Sequence, residues 1–435
     1  MGNSNYIGII ADDLTGANDT SLQFFLQGSK TQVSFGEDIS IDESLNTEVF
    51  GVSTETRNAD LETSVERVKT VAKNIFKDEG FEHLYKKMDS VLRGHFAVEI
   101  MTLMDELEYE AAVIFPAFPN EGRSTIGSYH LVKGVPLQRT EVSRDPAFPI
   151  MESNIVNLIK YQLEESEQNI VDAITLDTVM KGAGPILAKL NELISKGKKM
   201  VVVDAVSTTD LEQIALAVTK STYKILPCGS AGGAQALSKI WHPDTNEGDF
   251  IPPTVPKLPK LLVSGSATDL TAAQIKRLKE NDSIDNTYFI AIKPENIFSD
   301  DFEDIADRIL NNLVKENTVI VHSSALIEDT EKLNDLLLDN EITKEAFISK
   351  ICDYLAAITR AVLAKTEAVL ITVGGETSYK CCRAIGSKNL QILDTVAPAI
   401  PLGIDHKGQY IVTKSGNLGT QNTLIDIIRY FEQDK

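Results

Sequence analysis

The sequence predicts an α/β fold with two domains, each a mainly parallel sheet flanked by helices. Short apolar runs typical of buried strands alternate along the chain with charged segments that have the period of helices. A proline-rich stretch near the middle divides this alternation into two halves. With 435 residues, 43% of them hydrophobic, the chain is too long for one ordinary core and long enough for two.

Short apolar runs, bounded by polar or glycine-containing turns, define the predicted strands. They are Tyr6–Ala11, Thr31–Phe35, Val49–Ser53, Ala111–Phe115, Ile170–Thr175, Met200–Val203, Leu261–Ser264, Tyr288–Ile292, Val319–His322, Val369–Val373 and Tyr410–Thr413. The charged segments Leu61–Phe76 and Ile305–Lys315 have helical periodicity and would cover such sheets. Strands that alternate with helices favour parallel pairing.

Residues 241–260 are predicted to form a linker. They contain five prolines and show no apolar periodicity. Because proline lacks an amide donor and disfavours helix, this stretch is expected to be extended, although a long surface loop within one domain is the alternative. The predicted domains are therefore residues 1–240 and 261–435, and a pair of ligands would be expected in the cleft between them.

The charge of the chain limits its partners. A formal net charge of −21 argues against nucleic acid and anionic membranes, because binding to either requires basic surface. No apolar run approaches the ~18 residues of a membrane span, and no signal peptide is visible, so we predict a cytoplasmic protein. Four cysteines with no zinc or disulfide spacing indicate reduced thiols. Among macromolecular partners, only a homodimer is kept open.

The most informative segment is ADDLTGANDT, directly behind the first predicted strand. Asp12 and Asp13 stand where that strand ends, and small residues then lead into a helical run. Open α/β sheets build their binding sites at this point, beyond the carboxyl ends of strands. The alternative is that both carboxylates serve only as turn and helix-cap residues.

Further blocks along the chain carry a family resemblance. In order they are Ala11–Ala17, Lys86–Gly94, Pro116–Thr125, Val132–Pro146, Val263–Ser266, Val373–Thr377 and Lys414–Gly419. Together they resemble the four-carbon acid sugar kinases over nearly the whole chain. The chain departs from the expected family pattern at Val91, His95, Glu376 and Leu418. The resemblance implies a sugar-acid-binding first domain, a nucleotide-binding second domain, and ATP with Mg²⁺ as cofactors.

In the first domain the resemblance implies one set of substrate-binding residues. They are Asp12, Arg57, Lys87, Met88, Asp89, Ser90 and Arg93. Arg57 can fork onto a carboxylate with two parallel hydrogen bonds. Asp12 and Asp13 are both catalytic candidates, but adjacent carboxylates raise each other's proton affinity. One of them would act as the base while the other orients a hydroxyl or caps the helix, and we place Asp12 toward the substrate.

In the second domain, glycine-containing turns follow three predicted strands. The implied nucleotide-binding residues are Ser264, Ser266, Gly374, Gly375, Glu376, Thr377, Gly416 and Gly419. Glycines let backbone amides approach phosphate oxygens, and a helix start adds positive partial charge. Because Glu376 would repel a bare phosphate, its expected partner is Mg²⁺ or a ribose hydroxyl. No other metal ligand is assigned, and no GxxxxGK[ST] motif is present.

The predicted activity is phosphoryl transfer from ATP to the terminal hydroxyl of a four-carbon sugar acid, giving the 4-phosphate. Asn18, Asp19 and Thr20 are more similar to the D-threonate and D-erythronate kinases than to the 3-oxo-tetronate kinases, which remain the alternative. An aspartyl phosphatase needs a second Asp where Leu14 stands. A non-catalytic regulator that binds a sugar acid would not need the glycine turns or Glu376.

Overall fold

The computed structural model describes residues 6–36, 39, 47–77, 80–145, 147–241, 254–281, 284, 286–299, 301–314, 318–324 and 330–432. The chain divides into two compact units, Met1–Asp249 and Phe250–Lys435. In the predicted linker, Trp241 still belongs to the last helix of the first unit and Lys260 already begins a strand of the second. Residues 254–259 have no regular secondary structure, and 242–253 lie outside the described residues.

The first unit contains the following strands. They are β1 (Tyr6–Ala11), β2 (Thr31–Phe35), β3 (Val49–Ser53), β4 (Phe81–Lys87), β5 (Ala111–Phe115), β6 (Arg123–Ile126), β7 (Tyr129–Val132), β8 (Val135–Pro136), β9 (Val171–Ile174), β10 (Met200–Val203) and β11 (Ile225–Gly229). Its α-helices are α1 (Leu14–Phe25), α2 (Leu61–Val71), α3 (Phe96–Leu107), α4 (Ile155–Gln162), α5 (Leu176–Val179), α6 (Ala183–Ser195), α7 (Thr208–Thr219) and α8 (Ala231–Trp241). A π-helical turn, Ala72–Phe76, continues α2.

Eight of these strands form one parallel sheet in the order β2-β3-β1-β4-β11-β5-β10-β9. Alternate side chains of each strand enter two separate hydrophobic cores, one on each face, as Ile9 and Ile10 do in β1. Helices cover both faces, as a buried parallel sheet requires. The strands β6, β7 and β8 form a separate antiparallel sheet, which we call the small sheet.

The second unit contains another set of strands and helices. Its strands are β12 (Lys260–Ser264), β13 (Thr287–Ala291), β14 (Thr318–His322), β15 (Val369–Val373), β16 (Asn389–Ala397), β17 (Ile400–Ile404) and β18 (Tyr410–Lys414). Its helices are α9 (Asp269–Lys279), α10 (Pro294–Ser299), α11 (Glu303–Leu313), α12 (Thr330–Asp339), α13 (Lys344–Leu363), α14 (Gly375–Ala384) and α15 (Thr423–Tyr430).

Parallel pairing also dominates the second unit. The strands β13, β14, β12, β15 and β18 follow one another in the sheet and all run in the same direction. Beyond β18, the strands β17 and β16 add two antiparallel pairings. A hydrophobic core that includes Leu262, Ile371 and Val412 packs against α9 and α15.

The predicted α/β class with mainly parallel sheets is confirmed, and the described residues contain all the predicted strands within about one residue. The sequence interpretation omitted β4, β11, β16 and β17, as well as β6, β7 and β8 of the small sheet. Two of these strands carry residues that weaken a strand pattern: β4 ends in two lysines and β11 contains Pro227. Within the described part of the chain, no helix is both long and apolar enough to cross a membrane.

Candidate active site

The candidate acid-binding site lies at the carboxyl ends of adjacent strands of the first unit. In the sheet β1 lies between β3 and β4, with Ala11 in register with Ser53 on one side and Lys87 on the other. The segments that leave these strands therefore begin side by side. This arrangement brings the predicted residues Asp12, Asp13, Arg57, Lys87, Asp89, Ser90 and Arg93 into one region.

Arg57 connects both predicted catalytic carboxylates. Its Nε and Nη2 each donate to Asp12 at 2.8 Å, and its Nη1 and Nη2 donate to Asp13 at 2.6 and 2.7 Å. The fork predicted for Arg57 thus exists, but its partners in this structure are Asp12 and Asp13. Of the five N–H groups of a guanidinium, these bonds use four, so one N–H of Nη1 has no partner in these four bonds with the aspartates.

Asp13 is the N-cap of α1. Its Oδ1 accepts a hydrogen bond from the Gly16 amide at 2.8 Å, and its Oδ2 accepts one from the Thr15 hydroxyl at 2.7 Å. Gly16 is required at this turn, because a Cβ there would lie within 2.7 Å of Lys87 Nζ and 2.5 Å of Asp13 Oδ1. Glycine therefore allows the ammonium group of Lys87 to lie against the first turn of α1.

The segment after β4 is held by its own hydrogen bonds. Asp89 accepts from the Arg93 side chain at 2.6 and 3.3 Å and from its amide at 3.2 Å, while Arg93 also donates to Asp145 at 3.0 Å. The positive charges of Arg93 and Arg57 outweigh burial and lower the pKa of Asp89. Met88 does not contribute its side chain, which is buried in the core, and its amide donates to Gly229.

Four carboxyl groups near this site have shifted pKa values. The pKa values of Asp12 and Asp89 are lowered, and those of two further carboxyl groups are raised. Burial disfavours the charged form of Asp12, but the charge and hydrogen bonds of Arg57 outweigh it and lower the pKa. Burial raises the pKa of Asp19 to about 7 and that of Glu55 to about 8, and the negative charge of Asp13 adds to both shifts. The site therefore combines firmly ionised carboxylates with two that titrate near neutral pH.

Asp19 and Glu55 were not among the predicted site residues. Glu55 stands two residues before Arg57, with a left-handed backbone (φ 50°), and its carboxylate accepts from the Ser53 hydroxyl at 2.5 Å. Asp19 lies in α1, of which all residues but Phe25 are buried. A carboxylate in a helix buried on all sides would have been the signal for Asp19, but the sequence of α1 does not reveal that burial.

The candidate nucleotide site has the same plan in the second unit. The strands β12, β15 and β18 are adjacent, with Ser264 in register with Val373 and Val373 in register with Lys414. The three predicted glycine turns follow these strand ends. Ser264 Oγ is fully buried and has no hydrogen-bond partner among the described residues.

The three turns touch one another. A Cβ on Gly265 would overlap the Thr377 hydroxyl, and a Cβ on Gly416 would overlap the Ser266 hydroxyl. Gly374 has a positive φ of 112° and caps α14 without any side-chain hydrogen bond. The predicted residues Ser266, Gly374, Thr377 and Gly416 are therefore brought together, and the amides at the start of α14 can receive an anion.

Side chains at the start of α9 and within it hold the turn that follows β18. Thr268 and Thr271 both place their hydroxyl oxygens within hydrogen-bond distance of the Gly416 carbonyl, at 3.0 and 3.1 Å. Gln274 donates to the Thr420 carbonyl at 2.7 Å. These residues were not among the predicted nucleotide-binding residues. They bond to backbone atoms more than 140 positions away, which no local pattern shows.

Glu376 pairs with a lysine one turn further along α14. Its carboxylate lies 3.1 Å from Lys380 Nζ, which also lies 2.8 Å from Asp353. Among the described residues, no three His, Cys, Asp or Glu side chains are grouped to hold a metal ion. Mg²⁺ usually needs only one or two carboxylates when phosphates supply the other ligands. The partly exposed carboxylate of Glu376 beside the turns fits such a site.

Domain-family models match both units of the chain. A domain-family model described as a sugar-binding N-terminal domain matches residues 7–237, and one described as a nucleotide-binding C-terminal domain matches residues 261–424. The chain belongs to the four-carbon acid sugar kinase family. The two matched segments contain the acid site and the glycine turns respectively.

Named relatives align over almost the whole chain. The chain is 28% identical to a D-erythronate kinase of Heliobacterium modesticaldum, with 97% of this chain and 96% of that one covered. It is 27% identical to a D-threonate kinase of Salmonella typhimurium (98% of each chain), and 26% identical to a 3-oxo-tetronate kinase of Haemophilus influenzae (96% and 97%). A crystal structure of a Salmonella typhimurium protein shares the fold, with a TM-score of 0.77 at 21% identity over 98% of this chain and 99% of that one.

Proposed function

We propose that this protein transfers the γ-phosphoryl group of ATP to the terminal hydroxyl of a four-carbon sugar acid, with D-threonate or D-erythronate favoured as substrate. The observation that carries the proposal is the pairing of two strand-end sites in one chain. One site presents charged groups suited to a hydroxy acid, and the other presents glycine turns suited to phosphates. The named relatives are kinases of such acids.

In the acid site, the proposal assigns charge recognition to Lys87 and the remaining N–H of Arg57. Lys87 is 3% exposed and lies against α1, so an anionic group that reaches its ammonium is removed from water. The attraction between the two charges is then stronger than it would be in water. Asp12 accepts the hydrogen bond of the reacting hydroxyl and orients it for attack. Arg57 holds Asp12 ionised, which keeps this acceptor available at neutral pH.

In the nucleotide site, the proposal assigns the phosphates to the glycine turns and the helix start at α14. Gly374 and Gly375 place backbone amides at the start of α14, where an anion can approach them, and Gly416 packs against Ser266 beside them. Ser266 and Thr377 add hydroxyl groups, and Glu376 would hold Mg²⁺. When bound, the ion would neutralise charge on the phosphate oxygens.

The test is an activity screen with purified protein. ATP consumption is measured with D-threonate, D-erythronate, L-threonate and the 3-oxo acids, with and without EDTA, and ³¹P NMR locates the phosphate on the product. We expect turnover with D-threonate or D-erythronate that EDTA abolishes. Turnover with 3-oxo acids alone would identify the protein as a 3-oxo-tetronate kinase instead. No turnover with any of these acids would end the proposal.

A further inference from the structure

His130 connects the small sheet to the candidate acid site. The residue lies on β7 and its side chain is fully buried. Its Nε2 is 2.9 Å from the Ser90 carbonyl oxygen, and its Nδ1 is 3.0 Å from the Thr125 hydroxyl. Both ring nitrogens are therefore occupied, and one of their partners belongs to the segment that carries the predicted substrate residues.

The partners of His130 determine its tautomer. A carbonyl oxygen can only accept, so Nε2 carries the hydrogen and donates to Ser90. Nδ1 is then the acceptor, and the Thr125 hydroxyl donates to it. Burial favours this neutral ring and lowers the pKa of His130 to about 4. The ring therefore keeps one hydrogen-bond pattern throughout the neutral pH range.

The small sheet holds this ring in a fixed place. The His130 amide donates to the Ser153 carbonyl at 2.8 Å, and Thr125 exchanges backbone hydrogen bonds with Ala205 at 2.8 and 3.1 Å. Asp204 accepts from the amides at the turn between β6 and β7 at 2.6 and 2.8 Å. The small sheet that carries the ring is thus hydrogen-bonded to Asp204 and Ala205, which directly follow β10 of the parallel sheet.

The bond to Ser90 orients a residue whose side chain is still available. The Ser90 hydroxyl is only half-buried and has no hydrogen-bond partner among the described residues. Its carbonyl, in contrast, is held by the ring. Two residues later Leu92 has a left-handed backbone with φ 66°, so the segment has an unusual local shape to maintain.

We propose that His130 is a positioning residue for the acid substrate: it fixes the Ser90 carbonyl so that the Ser90 hydroxyl faces the bound acid. This inference rests on the proposed function, and it adds Ser90 to the residues that would contact the acid. His130 itself touches no reacting atom. Its effect reaches the acid through one peptide group.

The test compares two substitutions of His130. His130→Gln can keep an N–H donor toward Ser90, whereas His130→Leu removes the donor at similar size. We expect His130→Leu to raise the Kd and KM for the acid about tenfold, the effect of losing one buried hydrogen bond, and to leave the KM for ATP within about twofold. His130→Gln should restore most of the acid affinity. If His130→Leu does not fold, Thr125→Val serves as the second test. It removes only the hydroxyl donor to Nδ1 and should also weaken acid binding.

A double-mutant cycle separates positioning from a general loss of structure. If His130 acts through Ser90, the effects of His130→Leu and Ser90→Ala on acid Kd will be clearly less than additive. His83→Leu is the matched control, since that half-buried ring stacks on Trp241 and should leave acid affinity unchanged. In ¹⁵N NMR spectra the His130 ring should show a protonated Nε2 and no titration between about pH 5.5 and 8.

Opposite results identify which idea is wrong. Additive effects, equal losses in the Leu and Gln variants, or equal changes in KM for acid and ATP would overturn the positioning role while the kinase proposal stands. Wild-type protein that neither binds nor phosphorylates any tetronate would end both.

Discussion

The two candidate sites share one backbone plan and differ in chemistry. Each is built where adjacent parallel strands end, at β3, β1 and β4 in the first unit and at β12, β15 and β18 in the second. The first site is dense in charge, with Arg57 bonded to both Asp12 and Asp13. The second relies on glycines, hydroxyls and backbone amides, with Glu376 as its predicted acidic group. The same strand-end geometry therefore supports opposite ways of binding an anion.

On the proposed function, the difference follows from what each anion needs. A sugar acid offers one carboxylate among hydroxyls, so recognition requires both cations and acceptors at defined positions. Within the first site the aspartates are paired with Arg57 and Arg93, and this pairing offsets the cost of burying the arginine charges. A nucleotide brings several phosphate charges and its own metal ion, and oriented amides at a helix start can receive the phosphates.

The largest expected effect tests the charged site. Asp12→Asn should lower kcat about 10²–10⁴-fold, because the reacting hydroxyl loses its anionic acceptor. It should leave ATP binding nearly unchanged, since ATP is assigned to the other unit. Steady-state kinetics at saturating acid, with ATP binding measured by calorimetry, check both statements.

Asp13→Asn is the matched comparison. An asparagine still caps a helix, so this variant should lose much less activity than Asp12→Asn. It should lose more stability than the roughly 1 kcal/mol of a cap charge, because Asp13 also accepts two hydrogen bonds from the buried Arg57. If Asp13→Asn is the inactive variant and Asp12→Asn retains turnover, the two roles are exchanged. If both variants remain active, the end of β1 is not where the hydroxyl is activated.

An intermediate effect tests the glycine turns of the second site. Gly265→Ala places a methyl group where the Thr377 hydroxyl lies. The turns must then move apart, and since overpacking costs about 1–3 kcal/mol we expect the KM for ATP to rise roughly tenfold to a hundredfold. The Kd for the acid should not change. Gly184→Ala in α6 is the control, because a Cβ there meets nothing within 4 Å; a similar rise in that variant would show that the loss is unspecific.

Sequence reasoning reached the two sites to different depths. The strand ends and glycine turns were predicted because strand, turn and helix follow one another directly in the chain. The bonds of Arg57 to Asp12 and Asp13 join residues more than 40 positions apart, so the sequence could suggest a fork but not its partners. The omission of β4 also hid the fact that Lys87 ends a strand next to β1.

The smallest expected effect concerns stability rather than turnover, and it tests the buried carboxyl group of Asp19 in the first site. The pKa of Asp19 is raised from 3.8 to about 7 in the folded protein. A raised pKa means that the folded state holds the proton more tightly than the unfolded chain. Its contribution to stability is therefore complete below about pH 4 and is lost as the pH rises toward 7. Lys87 and Arg57 oppose the shift, and Asp13 reinforces it.

Asp19→Asn removes this titration, so the Tm of the variant should exceed that of the wild type at pH 8 by several degrees, and the gap should narrow at pH 5.5. A difference of 1 kcal/mol corresponds to about 2–4 °C in a unit of this size. Asp105→Asn, at an exposed position on α3, should give a curve parallel to that of the wild type. Calorimetric scans between pH 5.5 and 8 measure the gap directly. A gap that is constant with pH, or that widens toward pH 5.5, would mean that Asp19 stays ionised in the fold and that the charged site contains no neutral carboxyl group at this position.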